Sequence, residues 1–273
     1  DLTDVDSLTA AVDGCAAVFH AAVDYTSFEA QQRVNVDGTR AMAQASAHAG
    51  VKRLVHVSSI SAYGHAIRGD VHEDRRLNPT AHAYSITKAA AEKIVRDISA
   101  ETGLEYTIIR PGMIYGPDAD IWTKGIFQLA KRRPTIWLDD GGGNAPFIHV
   151  DDVIDLMIVT ADHPNAANQV FHCTPDPAPT WRDVFTLYAR LDGHEWQSIA
   201  VKPLAVIMGG LMTLFAPRTS FARDLPDMIG MMTEPLTFHM DKARDLLDWQ
   251  PHISLVDGIC GCTESLRKNG LLV

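Results

Sequence analysis

Tyr84-Ser85-Ile86-Thr87-Lys88 is the stretch whose reading decides the fold. It lies within 82–102 (HAYSITKAAAEKIVRDISAET), where Ala, Ile and Val recur at helical spacing and Gly103 follows the last of them. That pattern predicts a helix ending at a glycine. Tyr84 and Lys88, four residues apart, share one helical face, one turn above the other. A free phenol has a pKa of about 10 and is a poor base at neutral pH. A fixed ammonium nearby favours the phenolate, each unit of lowering being worth about 1.36 kcal/mol. Tyr84 would then exchange a proton with a substrate hydroxyl or carbonyl while a hydride moves. An isolated Tyr-x-x-x-Lys is more often a pair sharing a solvated face, so the surroundings decide.

Upstream, 16–22 (AAVFHAA) reads as a short buried strand ending in small residues. Small side chains at a strand's carboxyl end admit a flat ligand, and tight strand–helix packing explains them equally well. A long helix is predicted over 28–49, containing Asn35-Val36-Asp37-Gly38-Thr39. A mid-helix glycine costs roughly 1 kcal/mol relative to Ala, so Gly38 predicts a close helix–sheet contact. Asn35 is expected in a structural role ahead of a ligand-binding one. Arg53–Val57 (RLVHV) is the next strand and runs into Ser58-Ser59-Ile60-Ser61-Ala62-Tyr63-Gly64. A serine hydroxyl at the mouth of the sheet can bond the same substrate oxygen that Tyr84 protonates. A further β-branched strand, 105–110, stops at Pro111-Gly112, which ends regular pairing and brings backbone close to the site. Strand and helix alternate, which implies a parallel sheet with right-handed crossovers.

After Pro117 the pattern changes. A helix is predicted over 122–131 and an edge strand over 135–138. Gly141-Gly142-Gly143-Asn144 is a turn without phosphate-loop spacing. Phe147-Ile148-His149-Val150 leads into Asp151-Asp152, with an Asp expected to cap the helix through 161. His149 is expected to be packed or hydrogen-bonded, since no second metal ligand lies at suitable spacing. A strand follows at 169–173, then a helix capped by Thr180 and two more helices over 241–247 and 255–269. The most apolar run, 203–217 (PLAVIMGGLMTLFAP), falls short of the ~20 residues that cross a bilayer. It is expected first as a wall of an apolar substrate pocket and second as a surface for peripheral membrane contact.

The 273 residues suffice for one large α/β domain or two unequal lobes. A formal charge of −10 argues against a nucleic-acid partner, which demands a basic surface. Cys15, Cys173, Cys260 and Cys262 are scattered and form no Cys-x-x-Cys pair. That fits a reducing, cytoplasmic setting better than a disulfide framework or a zinc site.

Taken together these residues resemble the extended short-chain dehydrogenase/reductases, the NAD-dependent epimerase/dehydratase family. The match is collinear, from Asp1-Leu2 through His20-Ala21-Ala22, Asn35-Val36-Asp37-Gly38-Thr39, Ser58-Ser59 and Tyr84…Lys88. It continues with Arg110-Pro111-Gly112-Met113-Ile114-Tyr115-Gly116-Pro117, Val150-Asp151-Asp152-Val153 and Lys242-Ala243…Trp249-Gln250-Pro251. The resemblance implies a Rossmann-like, doubly wound parallel α/β sheet over 1–111 and about 147–173. A smaller, mostly helical C-terminal substrate lobe would comprise about 112–146 and 174–273. It makes Tyr84 the acid/base, has Lys88 lower its pKa and hold the nicotinamide ribose, and has Ser59 polarise the substrate oxygen. Asp1 and Leu2 match positions contacting adenine, Ala21 and Ala22 those along the dinucleotide, and Asn35 and Ser58 cofactor-shell positions. Pro111 and Gly112 match the turn facing the nicotinamide. NAD or NADP is the implied cofactor, with a small-molecule substrate. The helices over 28–49 and 82–102 imply a homodimer.

The departure from the family is at the front, where its opening strand, glycine-rich turn and second β-α unit are not in this sequence. The gene product is therefore expected to be longer by about two β-α units. At the positions where nucleotide-sugar epimerases and dehydratases carry Asn and an Arg-Asp pair, this chain has Met113 and Ala145-Pro146. The Arg-Pro opening and the apolar 203–217 run resemble the 3β-hydroxysteroid dehydrogenase and dihydroflavonol reductase branch instead. A reversible alcohol/ketone oxidoreductase is therefore the expectation. A nucleotide-sugar epimerase/dehydratase is the alternative, and a non-catalytic dinucleotide-sensing or scaffold protein the third reading. Pyrophosphate binding draws on backbone N–H groups of the glycine-rich turn and its helix. Fluorescence titration of NADH into this chain is expected to show weak binding, and micromolar affinity would contradict the expectation.

Overall fold

Four short strands lie side by side in the computed structural model, which describes residues 1–80, 82–215 and 224–273, apart from the side chains of 208–210 and 212–215. They are β1 (Ala17–His20), β2 (Arg53–Val57), β3 (Glu105–Pro111) and β4 (Gln169–Cys173). The strands pair in that order and all are parallel, with His20 opposite His56, Val57 opposite Ile109 and Pro111 opposite Cys173. Every residue of β2 is buried, as two-sided cover by crossover helices requires. On one face Leu54 and Ile108 pack with Leu8, Val36, Ile94, Val95 and Ile98. On the other, Val55 and Ile109 pack with Val153 and Leu156 of the helix Val150–Asp162. The sheet is thus doubly wound, as expected.

The helix Ala83–Thr102 begins after His82 and ends at Gly103, whose φ of 79° is the left-handed conformation that glycine adopts without strain. Four sequence expectations need correction. The strand expected as buried is only partly so: among the described residues β1 pairs with β2 alone, and Phe19, Ala21 and Ala22 are exposed. Gly38 admits Leu2, not the sheet: an added Cβ would stand 3.0 Å from the Leu2 Cβ and Cδ1. His149 caps the helix Val150–Asp162 by accepting the Asp151 N–H at 3.2 Å, which leaves Asp151 and Asp152 in the first turn. The helix expected over 122–131 divides into a π-helical stretch, Asp120–Gly125, and an α-helix, Ile126–Ala130.

Three short parallel ladders attach the rest of the chain. Met113–Tyr115 pairs with Phe147–His149, Thr135–Trp137 with Ser198–Ala200, and Gly69–Val71 with Leu236–Phe238. An aromatic core of Phe127, Phe147, Trp181, Phe185 and Tyr188 forms beneath the first two. Thr180 caps the helix Trp181–Leu191 through a reciprocal pair with Asp183, as expected from the sequence. The 203–217 run enters the helix Lys202–Phe215, where Leu204, Val206, Ile207 and Leu211 are exposed, while 216 and 217 lie outside the described residues. Among the described residues no helix is long and apolar enough to cross a membrane.

One ionic knot joins helix to sheet. Arg110 of β3 grips the buried Glu92 with two bonds, Nε to Oε1 at 2.8 Å and Nη2 to Oε2 at 2.7 Å. Arg96 adds a contact at 2.9 Å and the Ser58 hydroxyl another at 2.6 Å. Burial alone raises the Glu92 carboxyl, but the bonds and charge of Arg110, with Ser58 and Arg96, overcome it and hold the group below its ordinary range. This contribution to stability is full above the unfolded carboxyl's pKa and is lost as pH falls through the folded one. Glu92→Gln leaves Arg110 buried without its counter-charge and is expected to cost about 3–5 kcal/mol in urea unfolding. Against wild type, the loss should shrink as the pH is lowered into the carboxylate range.

Candidate active site

Tyr84 stands in the first turn of Ala83–Thr102, and β2 delivers Ser58-Ser59 toward it. The Ser59 side chain accepts the Ser61 N–H at 3.1 Å and so caps the 3₁₀ turn Ile60–Tyr63. Ser59 and Tyr25 are the side chains that act on the Tyr84 phenol. The Tyr25 ring lies 5.1 Å from that of Tyr84 and the His82 ring 6.3 Å, nearly edge-on at 71°. Lys88 is buried, with Nζ 5.8 Å from the centre of the Tyr84 ring and donating to the Val57 carbonyl at 2.8 Å.

The electrostatics differ from the expectation that Lys88 lowers the phenol. Burial raises Tyr84 above its ordinary value, Tyr25 adds to the rise, and the Ser59 hydroxyl opposes it. The ammonium is turned to the end of β2, so its charge is answered by a carbonyl. Burial itself lowers Lys88 to about 8, with Glu92 pulling the other way. The phenol therefore rests protonated.

Two histidines that the sequence reading passed over flank the lysine. His20 and His56 face each other across β1 and β2 with rings stacked 5.4 Å apart. Thr39 gives its own proton to the Asn35 carbonyl at 2.7 Å, so His20 donates Nε2–H to Thr39 Oγ1 at 2.9 Å. Burial, then the charge of Lys88, lowers His20 to about 4 and takes His56 well below its ordinary value. The available signal was two histidines at one register on neighbouring strands, which pairing alone makes visible.

The other expected residues divide. Asn35 accepts the Asp24 N–H at 2.7 Å, donates to the Asp24 carbonyl at 3.0 Å, and reaches Thr87 Oγ1 at 3.3 Å. It clamps the loop carrying Tyr25 onto the Tyr84 helix, a structural role. Ser58 gives its hydroxyl proton to Glu92 and its backbone N–H to the Ile109 carbonyl, which leaves it no donor for a cofactor. Ala21 and Ala22 are exposed beyond the carboxyl end of β1. Gly112 donates to the Cys173 carbonyl at 3.0 Å, and a Cβ there would strike the Pro146 carbonyl, so backbone meets backbone beside Pro111. Asp1 is exposed, its carboxylate accepting the Thr3 N–H at 2.9 Å and hydroxyl at 3.0 Å, and Leu2 packs on Gly38.

A lysine lowered by burial takes up fewer protons folded than unfolded, so stability rises with pH from about 8 toward 10.5, the ordinary value. Nitrogen-detected NMR of the Lys88 side chain is expected to show a titration near pH 8; a midpoint at the ordinary lysine value would contradict the burial argument.

Comparison with known proteins follows the same lines. Two isoforms of 3beta-hydroxysteroid-dehydrogenase/decarboxylase from Arabidopsis thaliana are each 27% identical over 95% of this chain, which spans 64% and 50% of their lengths. A ceramide reductase from Caulobacter vibrioides is 31% identical, with 90% of this chain and 72% of that protein covered. The UDP-glucuronic acid 4-epimerase of Bacillus cereus, solved in complex with UDP-glucuronic acid and NAD, shares the fold. It has a TM-score of 0.75 at 20% identity over 98% of this chain and 80% of that one. Residues 1–173 match the model of one family, and the chain belongs to it: the NAD dependent epimerase/dehydratase family.

Proposed function

We propose that this chain carries the catalytic machinery of an NAD(P)-dependent oxidoreductase that interconverts a secondary alcohol and a ketone on an apolar or mixed small molecule. The observation that carries the reading is the Tyr84 phenol standing where the Ser59 hydroxyl acts on it, with the buried Lys88 ammonium 5.8 Å from its ring. The residues present fit a nicotinamide dinucleotide: the Val57 carbonyl takes one of the three N–H donors of the buried Lys88 ammonium, so the others would hold the cofactor's ribose. That cofactor supplies or accepts the hydride when bound. Ser59 polarises the substrate oxygen. Tyr84, raised by burial, rests as the proton donor that a ketone needs. Lys88, placed to bond the nicotinamide ribose, keeps positive charge where negative charge develops.

Met113 and Ala145 favour this class over nucleotide-sugar chemistry. Both are buried among the aromatic core residues, where neither can bond a sugar hydroxyl or a diphosphate. Relatives named for ceramide and for 3beta-hydroxysteroid lie on the same side of that division. Substrate is placed between the Rossmann part (1–111 and about 147–173) and the remaining lobe (about 112–146 and 174–273). Pairing of the helices over 28–49 and 82–102 into a homodimer, a cytoplasmic setting and peripheral membrane contact through Leu204, Val206, Ile207 and Leu211 complete the proposal.

The test is turnover of NAD(P) with a panel of secondary alcohols that includes sterols, set against UDP-glucose. Reduced cofactor should accumulate with an alcohol, whereas UDP-glucose epimerised with cofactor unchanged would favour the other class. Tyr84→Phe should lower turnover by about 10²–10⁴-fold, and unchanged turnover would remove the mechanism.

A further inference from the structure

A buried carboxylate from the far part of the chain closes on the segment that links Ser59 to Tyr84. Asp224 precedes the helix Leu225–Thr233 and is 2% exposed. Its Oδ1 accepts the Thr80 hydroxyl at 2.7 Å and its Oδ2 lies 3.2 Å from Nδ1 of the buried His65. These two partners sit at opposite ends of one segment. His65 follows the 3₁₀ turn that Ser59 caps, and Thr80 lies four residues before Tyr84.

Packing carries the same link by a second route. The His65 ring lies 5.1 Å from that of His82, which in turn meets Tyr84 edge-on at 6.3 Å. The segment is also closed on itself. Asn78 donates its N–H to the Tyr63 carbonyl at 3.3 Å, and Gly64, at φ 82°, lets the Asn78 carbonyl approach where a Cβ would strike it. Arg68 docks the same segment on the Leu225–Thr233 helix, donating to the Asp227 carbonyl at 3.1 Å and to Glu234 at 2.6 Å. Gly230 makes the room, since a Cβ there would overlap the Arg68 guanidinium. A carboxylate so enclosed persists only while its partners are held.

We infer that Asp224 is a positioning residue: by gripping Thr80 and His65 together it sets the spacing between the Ser59 hydroxyl and the Tyr84 phenol. Its importance for turnover rests on the reading of Tyr84 and Ser59 as the reacting pair, but the spacing itself does not.

The experiment reads Tyr84 without substrate or cofactor. The full chain is labelled with ¹³C at tyrosine Cζ, and the Tyr84 resonance is assigned by its loss in Tyr84→Phe. In Asp224→Ala and in Thr80→Val that resonance should move, because a released phenol regains water. The double variant should move little further than Asp224→Ala alone, as partners in one bond do not add. Thr80→Val removes a single hydroxyl and keeps the carboxylate, so it decides the matter if Asp224→Ala does not fold. An unmoved Tyr84 resonance in folded Thr80→Val overturns the inference. Additive shifts in the double variant overturn it as well. If instead Tyr84 moves as expected while Tyr84→Phe leaves turnover intact, the positioning stands and the proposed reaction falls.

Discussion

The Glu92 carboxylate, held between Arg110, Arg96 and Ser58, is the interaction on which the rest depends. Tyr84, Lys88, Glu92 and Arg96 follow one another at four-residue intervals along one face of a single helix. Fixing the third of these against β3 fixes the azimuth of the whole face. The phenol and the ammonium are therefore presented at the carboxyl ends of the strands and not to solvent. Ser58 takes part in the same knot, so Ser59 is delivered beside Tyr84 by the bond that orients the helix. Buried ion pairs add little net stability, but a geometry in which every oxygen has a donor admits few alternatives.

Around this knot the protein excludes further charge. His20 and His56 stack as neutral rings beneath Lys88, and burial brings that lysine itself to about 8. The same burial raises Tyr84, so the titrations of the phenol and the ammonium are pushed apart, each toward its neutral form. Low polarity, more than a direct contact between the two, sets their proton states here. In such surroundings a modest displacement of charge has a large electrostatic effect, which suits a site where a hydride and a proton part company.

The second part of the chain is joined by elements of another kind. Short parallel ladders, the Arg68 clamp and the Asp224 grip attach the later residues to the connection between Ser59 and Tyr84. The aromatic core around Trp181 gives that part a hydrophobic centre of its own. Two cores linked by a few directed bonds can adjust to a ligand more easily than one continuous core, while the bonds keep the reacting side chains in register.

Much of the sheet was legible in the sequence, because period-two and buried β-branched runs such as Arg53–Val57 report their environment directly. The helix bearing Tyr84 and Lys88 was equally plain, since its spacing and its glycine stop are local matters. The Thr180 cap could be read for the same reason. Tertiary structure alone decided the rest. That Gly38 meets Leu2 and that Ser58 turns to Glu92 each depend on residues tens of positions away. The proton state of Tyr84 belongs here too. The sequence places a lysine one turn from it, which argues for a lowered phenol, whereas burial and the Val57 carbonyl reverse the sign. Spacing along a helix determines which groups are neighbours; the dielectric around them and the third partner each one finds are set only when the chain closes on itself.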